Sequence, residues 1–416
     1  MKSLYWMTHD LRLDDNPALL QAAQSEELLL VYVVDPAWFR VNRFGQLSMG
    51  NHRWLFVQQA LIDLDSALRD LGHRLCIVEG DPGETIAQIL HQIPFQRLVT
   101  SQQFGSDELD RIERLKRVHP QVRFEIVDTY TLFDRQSLPM PVAEIPETYS
   151  RFRRKAEKVP IIAPIPPPTT LPTMVQLKVD RFPLRAELEF EVCESQFHGG
   201  EAAAQRHVKH YFGEDLPLDY KQVRNALDGW ENSSKMSAWL NAGCLSTRRM
   251  LNQIHDYEES RERNESTYWL YVELLWREYF QWLALKIGKC LSAKDGSSSQ
   301  AYAGRFDPAG LAEWCEGNTA YPLVNACMRQ LNATGYLSNR GRQLAASCLI
   351  NELQGDWRYG AGWFEQQLID YDVAANWGNW QYIAGVGADA RGGRHFNLAK
   401  QTEIYDADGS YRRRWL

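Results

Sequence analysis

Prolines crowd the middle of the chain at positions 139, 141, 146, 160, 164, 166, 167, 168 and 172. Proline has a locked φ and no backbone N–H, so this density disfavours both helix and central strand. Residues 134–195 are therefore expected to form a long connection over the surface, with one short helix near Tyr149–Lys158. The rhythms on either side differ. Before it, short apolar runs (Leu28 to Val34, Leu75 to Val78, Arg97 to Thr100, Val122 to Val127) alternate with helical stretches such as Trp54 to Leu71, closed by Gly72. Strands interleaved with helices predict a parallel sheet with crossover helices. From Gly199 onward the pattern is helical nearly to the end. The predicted fold is an α/β N-terminal part, a proline-rich linker and an all-α C-terminal part.

A length of 416 residues fits two domains. With 44% hydrophobic and 24% charged residues, the composition is that of a globular protein. No stretch reaches 18 uncharged apolar residues, so no membrane-spanning helix is expected. Met1-Lys2 runs straight into the strand-like Ser3 to Met7, so no signal peptide is expected. The 7 cysteines form no CxxC pair, and their odd number argues against a complete disulfide framework. A reduced cytoplasm fits. A net charge of −7 does not favour general attraction to nucleic acid. Charge placement can still do so locally, and Arg151 to Lys155, Arg248-Arg249 and Arg412-Arg413-Arg414 are the basic runs. No GxGxxG or P-loop is present.

Several stretches carry chemistry. Glu265 to Phe280 reads as a helix apolar on most sides, hence buried. Glu273 and Arg277 are spaced i, i+4 and share a face, as a structural ion pair or as ligand contacts. Ser233-Ser234-Lys235-Met236-Ser237 offers hydroxyls, a lysine and backbone amides near a helix start, which can hold phosphate or simply cap the helix. The tail Gly355 to Phe364 and Tyr371 to Tyr382 packs carboxylates, an amide and indoles closely together. Indoles there can stack on flat rings or relay electrons.

In their order and spacing these stretches resemble the photolyase/cryptochrome family, most of all its DASH-type branch. Gly335-Tyr336-Leu337-Ser338-Asn339-Arg340-Gly341-Arg342-Gln343 matches the DASH form almost letter for letter. Trp6 to Leu19 resembles the family's opening, with Thr8 for the usual Arg. The likeness spans essentially the whole chain and is strongest from 266 to 397.

The resemblance implies a Rossmann-like antenna-type domain over 1–133, a linker over 134–195 and a helical FAD-binding catalytic domain over 196–416. It implies FAD held by Tyr220, Ser233, Ser234, Lys235, Met236, Ser237 and Arg277. Arg342 would sit over the flavin and pair with Glu352, where Asp is usual. Asp370 and Asp372 would lie near the isoalloxazine and ribityl side, with Asn376 facing flavin N5. Glu273, Trp276, Asn339, Arg340 and Tyr382 would meet the lesion, Tyr382 standing where classical photolyases have Trp. Trp380 and Trp357 match the proximal and middle members of an electron relay. Gly304 stands where its distal Trp belongs, and Trp314, Trp363, Tyr302 or Tyr359 are the substitutes. Glu108 matches the carboxylate partner of a folate (methenyltetrahydrofolate) antenna. No metal is expected, and the cysteine pattern does not suit the family's iron–sulfur branch.

The activity so implied is blue-light repair of cyclobutane pyrimidine dimers in DNA, preferably single-stranded, by a cytoplasmic monomer. Reduced FAD would give one electron to a flipped-out dimer and recover it. The alternative is a photoreceptor in which light reduces FAD through Trp380 and Trp357 and a partner reads the change. His395 and the other His residues do not fall in the matching active-site segments, so 6-4 lesions are not expected.

Overall fold

A computed structural model describes residues 1–185, 196–298, 301–387 and 393–416. The N-terminal part is a parallel sheet of β1 (Lys2–Met7), β2 (Glu27–Val34), β3 (Leu75–Glu79), β4 (Arg97–Ser101) and β5 (Arg123–Val127), in the order β3-β2-β1-β4-β5. Helices such as Asn51–Asp70 and Ser106–Val118 connect the strands. The strands are apolar on both faces because helices cover both: Leu4, Leu28, Leu30, Val31, Leu98 and Val99 have no exposed surface. The expected stop at Gly72 is realised, with φ +71, a left-handed conformation that costs glycine nothing.

The strand order reverses between β1 and β4, where a ligand crevice opens in many doubly wound sheets. Here the helical part docks against it. Gly243, at φ +73, lies so close to the His9 backbone that a Cβ there would overlap it. Arg12 is buried and donates to the carbonyls of Asp14, Asp15, Thr129 and Gly243 at 2.7–3.0 Å. Asp14 and Asp15 pair with Arg249 and Arg248. The Arg-Leu-Asp-Asp motif at residues 12–15 thus joins the two parts of the chain.

The proline-dense segment is more than a surface wrap. Met140, Ile145, Tyr149, Phe152 and Ala156 are buried, the short helix spans Tyr149–Ala156, and Thr173–Met174 (β6) pairs in parallel with the start of β2. Alternation of apolar residues with prolines hid this, because proline blocks regular structure without preventing burial. The last part of the expected linker, 186–195, lies outside the described residues, as does Ser299 of the loop expected at 296–299.

From residue 201 on, the named elements are helices. The longest, Glu265–Ile287, starts at an Asn264–Thr267 capping box and is buried along most of its length. It packs against the helix Val373–Ala384 and the short helix Tyr220–Val223. No helix among the described residues is long and apolar enough to cross a membrane.

Candidate functional site

A cavity of about 1220 Å³ opens within the helical part. It exceeds the ~300–1,000 Å³ of an ordinary small-molecule pocket. Its wall gathers Tyr220, Ser233, Ser234, Lys235, Met236 and Ser237 with Glu273, Trp276 and Arg277. Asn339, Arg342, Asp370, Asp372, Asn376, Trp380 and Tyr382 complete it. Of the residues singled out in the sequence, Arg340, Glu352, Trp357 and Glu108 do not line it, nor do the relay substitutes Tyr302, Trp314, Tyr359 and Trp363.

One wall is polar and fixed. Asp370, 5% exposed, accepts from Ser237 Oγ at 2.6 Å and from Arg342 Nη2 at 2.9 Å, both on Oδ2. Its Oδ1 is buried with no partner among the described residues. Asp372 caps the helix Val373–Ala384 through the Ala375 N–H at 2.6 Å. It also accepts from Gln281 Nε2 and the Tyr130 hydroxyl, each at 2.8 Å, so both its oxygens are engaged. Burial, reinforced by the Asp372 charge, drives the Tyr130 hydroxyl well above the ordinary tyrosine range. Arg277 lies over the Tyr130 ring at 3.8 Å and reaches Asn241 Oδ1 at 3.2 Å. Lys235 is buried with φ +56, a strained conformation for a non-glycine residue. Its Nζ is tied to the Gly229 carbonyl at 3.0 Å. The Asn376 amide is anchored by Nδ2 donating to the Ala361 carbonyl at 3.0 Å.

The opposite wall is aromatic with a single acid. Trp276 stacks on Tyr149, centroids 3.7 Å apart at 13°, and meets Phe280 at 5.7 Å and Tyr382 edge-on at 6.4 Å. Glu273 keeps 32% of its side chain open. Its Oε1 accepts from Arg224 and from Trp269 Nε1 at 3.1 Å. Partial desolvation in the wall pushes its carboxyl up, against the opposing pull of Arg224 and the Trp269 hydrogen bond. The Tyr382 hydroxyl accepts from Arg394 at 2.6 and 3.0 Å.

Some expected pairings are not made. Glu273 and Arg277 share a helix face but no ion pair forms, because Arg224 and the Tyr130 group lie nearer to each. Arg342 pairs with Asp370, not Glu352. Glu352 instead meets His395 Nε2 at 2.8 Å and the Tyr321 hydroxyl at 3.4 Å, away from the cavity. Arg340 is drawn off to Asn225 at 3.2 Å and lies over Tyr405 at 5.0 Å and Phe396 at 5.5 Å. Arg224, Trp269, Tyr130 and Tyr149 escape the sequence reading. Arg224 had a signal, since it lies one turn from Tyr220 beside a segment already marked. Tyr149 had none.

Trp380 lies on the cavity wall, its ring tip against Gly360, where any Cβ would overlap it. Trp357 is fully buried and donates to the Lys294 carbonyl at 2.9 Å. At Gly304 a Cβ would overlap the Tyr302 ring and the Gly355 carbonyl. The half-buried Tyr302 fills that space and donates to Gly355 O at 2.7 Å. Trp314 has no exposed surface and packs edge-on to Trp380 at 6.1 Å, so it offers no route to solvent. Trp363 is half-buried, and half-buried Tyr359 stacks on exposed Phe306 at 4.1 Å. Glu108, in the first turn of the helix Ser106–Val118, lies against Gly105.

Residues 269–416 match the FAD binding domain of DNA photolyase, and residues 3–171 match DNA photolyase. A cryptochrome DASH of Idiomarina loihiensis is 45% identical over 413 residues, covering 99% of this chain and 92% of that protein. The crystal structure of a Synechocystis sp. PCC6803 cryptochrome superposes with TM-score 0.95 at 37% identity, over 100% of this chain and 89% of that one. A class III photolyase from Agrobacterium tumefaciens gives TM-score 0.84 at 26% identity, over 100% and 86%.

Proposed function

For this chain, which belongs to the photolyase/cryptochrome family and within it to the DASH branch, we propose light-driven repair of cyclobutane pyrimidine dimers in DNA, single-stranded by preference. The observation that carries the proposal is that one cavity holds both a polar, cation-lined wall and an aromatic wall with an accessible acid.

The polar wall fits FAD. The partnerless buried oxygen of Asp370 asks for a donor from a bound group. Lys235, Arg342 and Arg277 supply positive charge beside it, as a diphosphate requires. Ser233, Ser234, Lys235, Met236 and Ser237 would hold the diphosphate, with Tyr220 beside them. Arg277, Arg342, Asp370 and Asp372 would hold the rest, and Asn376 would offer its amide to the N5 edge. The chemistry that reduced FAD supplies when bound is one-electron transfer to the dimer under blue light, and its return.

The protein's own residues do the rest. Trp276, held flat by Tyr149, and Tyr382, held by Arg394, would receive the flipped bases by stacking and packing. Glu273 would hydrogen-bond the pyrimidine edge, with Asn339 beside the cavity mouth and Arg340 nearby. Arg224 and Trp269 hold the Glu273 Oε1, which would fix the carboxyl in place beside a bound pyrimidine. The preference for single strands follows because no duplex stack must be broken to flip the base. Trp380 and Trp357 would serve photoreduction and Glu108 a folate antenna. The division into 1–133, 134–195 and 196–416 is part of the same proposal, as is action as a monomer.

The test is light-dependent repair. Chemically reduced protein is mixed with a single-stranded oligonucleotide carrying one thymine dimer and illuminated beside a dark control. Recovery of thymine absorbance only in the light is expected. Its absence with FAD bound and reduced would move the weight to the photoreceptor reading.

A further inference from the structure

Arg277 and Asp372 line the same cavity, yet they do not meet. Among the described residues no carboxylate lies within ion-pair distance of Arg277, whose guanidinium is gripped by neutral oxygens instead. These are the Tyr130 carbonyl at 2.6 Å, Asn241 Oδ1 at 3.2 Å, Thr247 Oγ1 at 3.3 Å and the Leu240 carbonyl at 3.4 Å. Asp372 is held by neutral donors alone: the Ala375 N–H at 2.6 Å on Oδ1, Gln281 Nε2 at 2.8 Å on the same oxygen, and the Tyr130 hydroxyl at 2.8 Å on Oδ2. Each charge has its polar needs met without the other.

Tyr130 stands between them. Its ring face carries the Arg277 guanidinium 3.8 Å from the centroid, and its hydroxyl end carries Asp372. The residue is fixed from the α/β part. It follows β5 directly, is 7% exposed, and packs against Phe104 at 5.9 Å and His9 at 6.3 Å. A guanidinium and a carboxylate free to approach would form a strong charge-assisted pair and withdraw both charges from any ligand. The ring blocks that approach while satisfying both groups, since its face attracts a cation and its hydroxyl donates to an anion. A cation on the ring face also draws electron density from the phenol, which makes the hydroxyl a better donor to Asp372.

We propose that Tyr130 is a positioning residue of the flavin site, a spacer that keeps Arg277 and Asp372 unpaired so that both act on bound FAD. Tyr130 does not line the cavity itself and works through these two side chains. The inference rests on the seating of FAD against Arg277 and Asp372 under the proposed function. Two effects on FAD follow. The ring keeps Arg277 available to the cofactor, which supports affinity. The hydroxyl shields the Asp372 charge, which otherwise opposes the negative charge that reduction brings, so it raises the midpoint potential.

The test uses the full chain as Tyr130→Phe, Tyr130→Leu and Asp372→Asn, with FAD affinity, the midpoint potential of bound FAD and Tm measured for each. Tyr130→Phe keeps the ring and loses the hydroxyl, so affinity should stay within about threefold of the parent. Its midpoint should fall, the oxidised-to-reduced ratio at a fixed applied potential rising about threefold to tenfold, as part of the worth of a hydrogen bond to a charged group. Tyr130→Leu removes the spacer, and affinity should fall about tenfold or more as Arg277 closes on Asp372. Asp372→Asn should raise the midpoint. If Asp372→Asn shifts the midpoint and Tyr130→Phe does not, the role of Tyr130 is overturned and the seating of FAD stands. If Asp372→Asn leaves the midpoint unchanged, the seating and the spacer fall together. A lowered Tm in the Tyr130 variants, with parent affinity and midpoint, would reduce Tyr130 to packing and overturn the proposal. Should Tyr130→Leu fail to fold, the midpoint of Tyr130→Phe decides.

Discussion

Arg342 Nη2 stands 2.9 Å from Asp370 Oδ2, and the second oxygen of that carboxylate is buried without a partner among the described residues. The guanidinium and Ser237 fix the carboxylate, and a ligand donor is needed to complete it. Asp370→Asn should therefore lose FAD. A hydrogen bond to a charged group is worth about 1.5–3 kcal/mol, so affinity should fall about tenfold to a hundredfold. Glu352→Gln should leave it unchanged. Titration of apoprotein with FAD, read by flavin fluorescence, checks both. Loss of affinity in Glu352→Gln would reinstate the pairing expected from the sequence.

Glu273 lies at the opposite wall, where Arg224 and Trp269 hold one oxygen. Glu273→Ala should abolish most repair, by about tenfold or more, with FAD content intact. The yield per absorbed photon on a thymine-dimer oligonucleotide is the measurement. Undiminished repair would remove Glu273 from the mechanism.

Gly304 cannot take back the tryptophan that the family pattern expects, because Tyr302 occupies the space. Gly304→Trp should cost about 1–3 kcal/mol through overpacking and lower the Tm. Trp380→Phe should instead block photoreduction of oxidised FAD while chemically reduced protein still repairs. A stable Gly304→Trp variant that photoreduces faster would show that the relay had merely lost its last member.

Glu278 is fully buried and accepts from the Leu132 and Phe133 N–H groups at 2.8 and 3.1 Å and from Trp282 Nε1 at 2.6 Å. Burial pushes its carboxyl up to about 7, against the pull of those donors. The folded chain therefore holds this proton to higher pH than the unfolded chain. Its contribution to stability is full below the ordinary carboxyl range and is lost as pH rises to about 7, by at most about 3 kcal/mol. Denaturant unfolding at a series of pH values should show this decline, and Glu278→Gln should flatten it. An identical pH dependence in that variant would assign the decline to other groups.

The strands and helices were legible because their signals are local. Apolar runs marked β1 to β5, and Gly72 closed a helix where short-range chemistry demands. The burial inside the proline-dense segment was not legible, since prolines announce irregularity without saying which face turns inward. Tyr149 shows this most clearly, for nothing in its neighbourhood foretells the stack on Trp276.

By itself the sequence determined the order of α/β and helical parts, the family likeness and, through it, a set of residues that share one cavity. Tertiary structure decided which of those residues touch. Glu273 and Arg277 share a helix face, yet Glu273 takes Arg224, 49 residues away in sequence. Arg342 takes Asp370, 28 residues on, instead of the nearer Glu352. Spacing along a helix fixes the direction in which a side chain points, whereas its partner is whichever opposite charge the packing of other helices brings within reach.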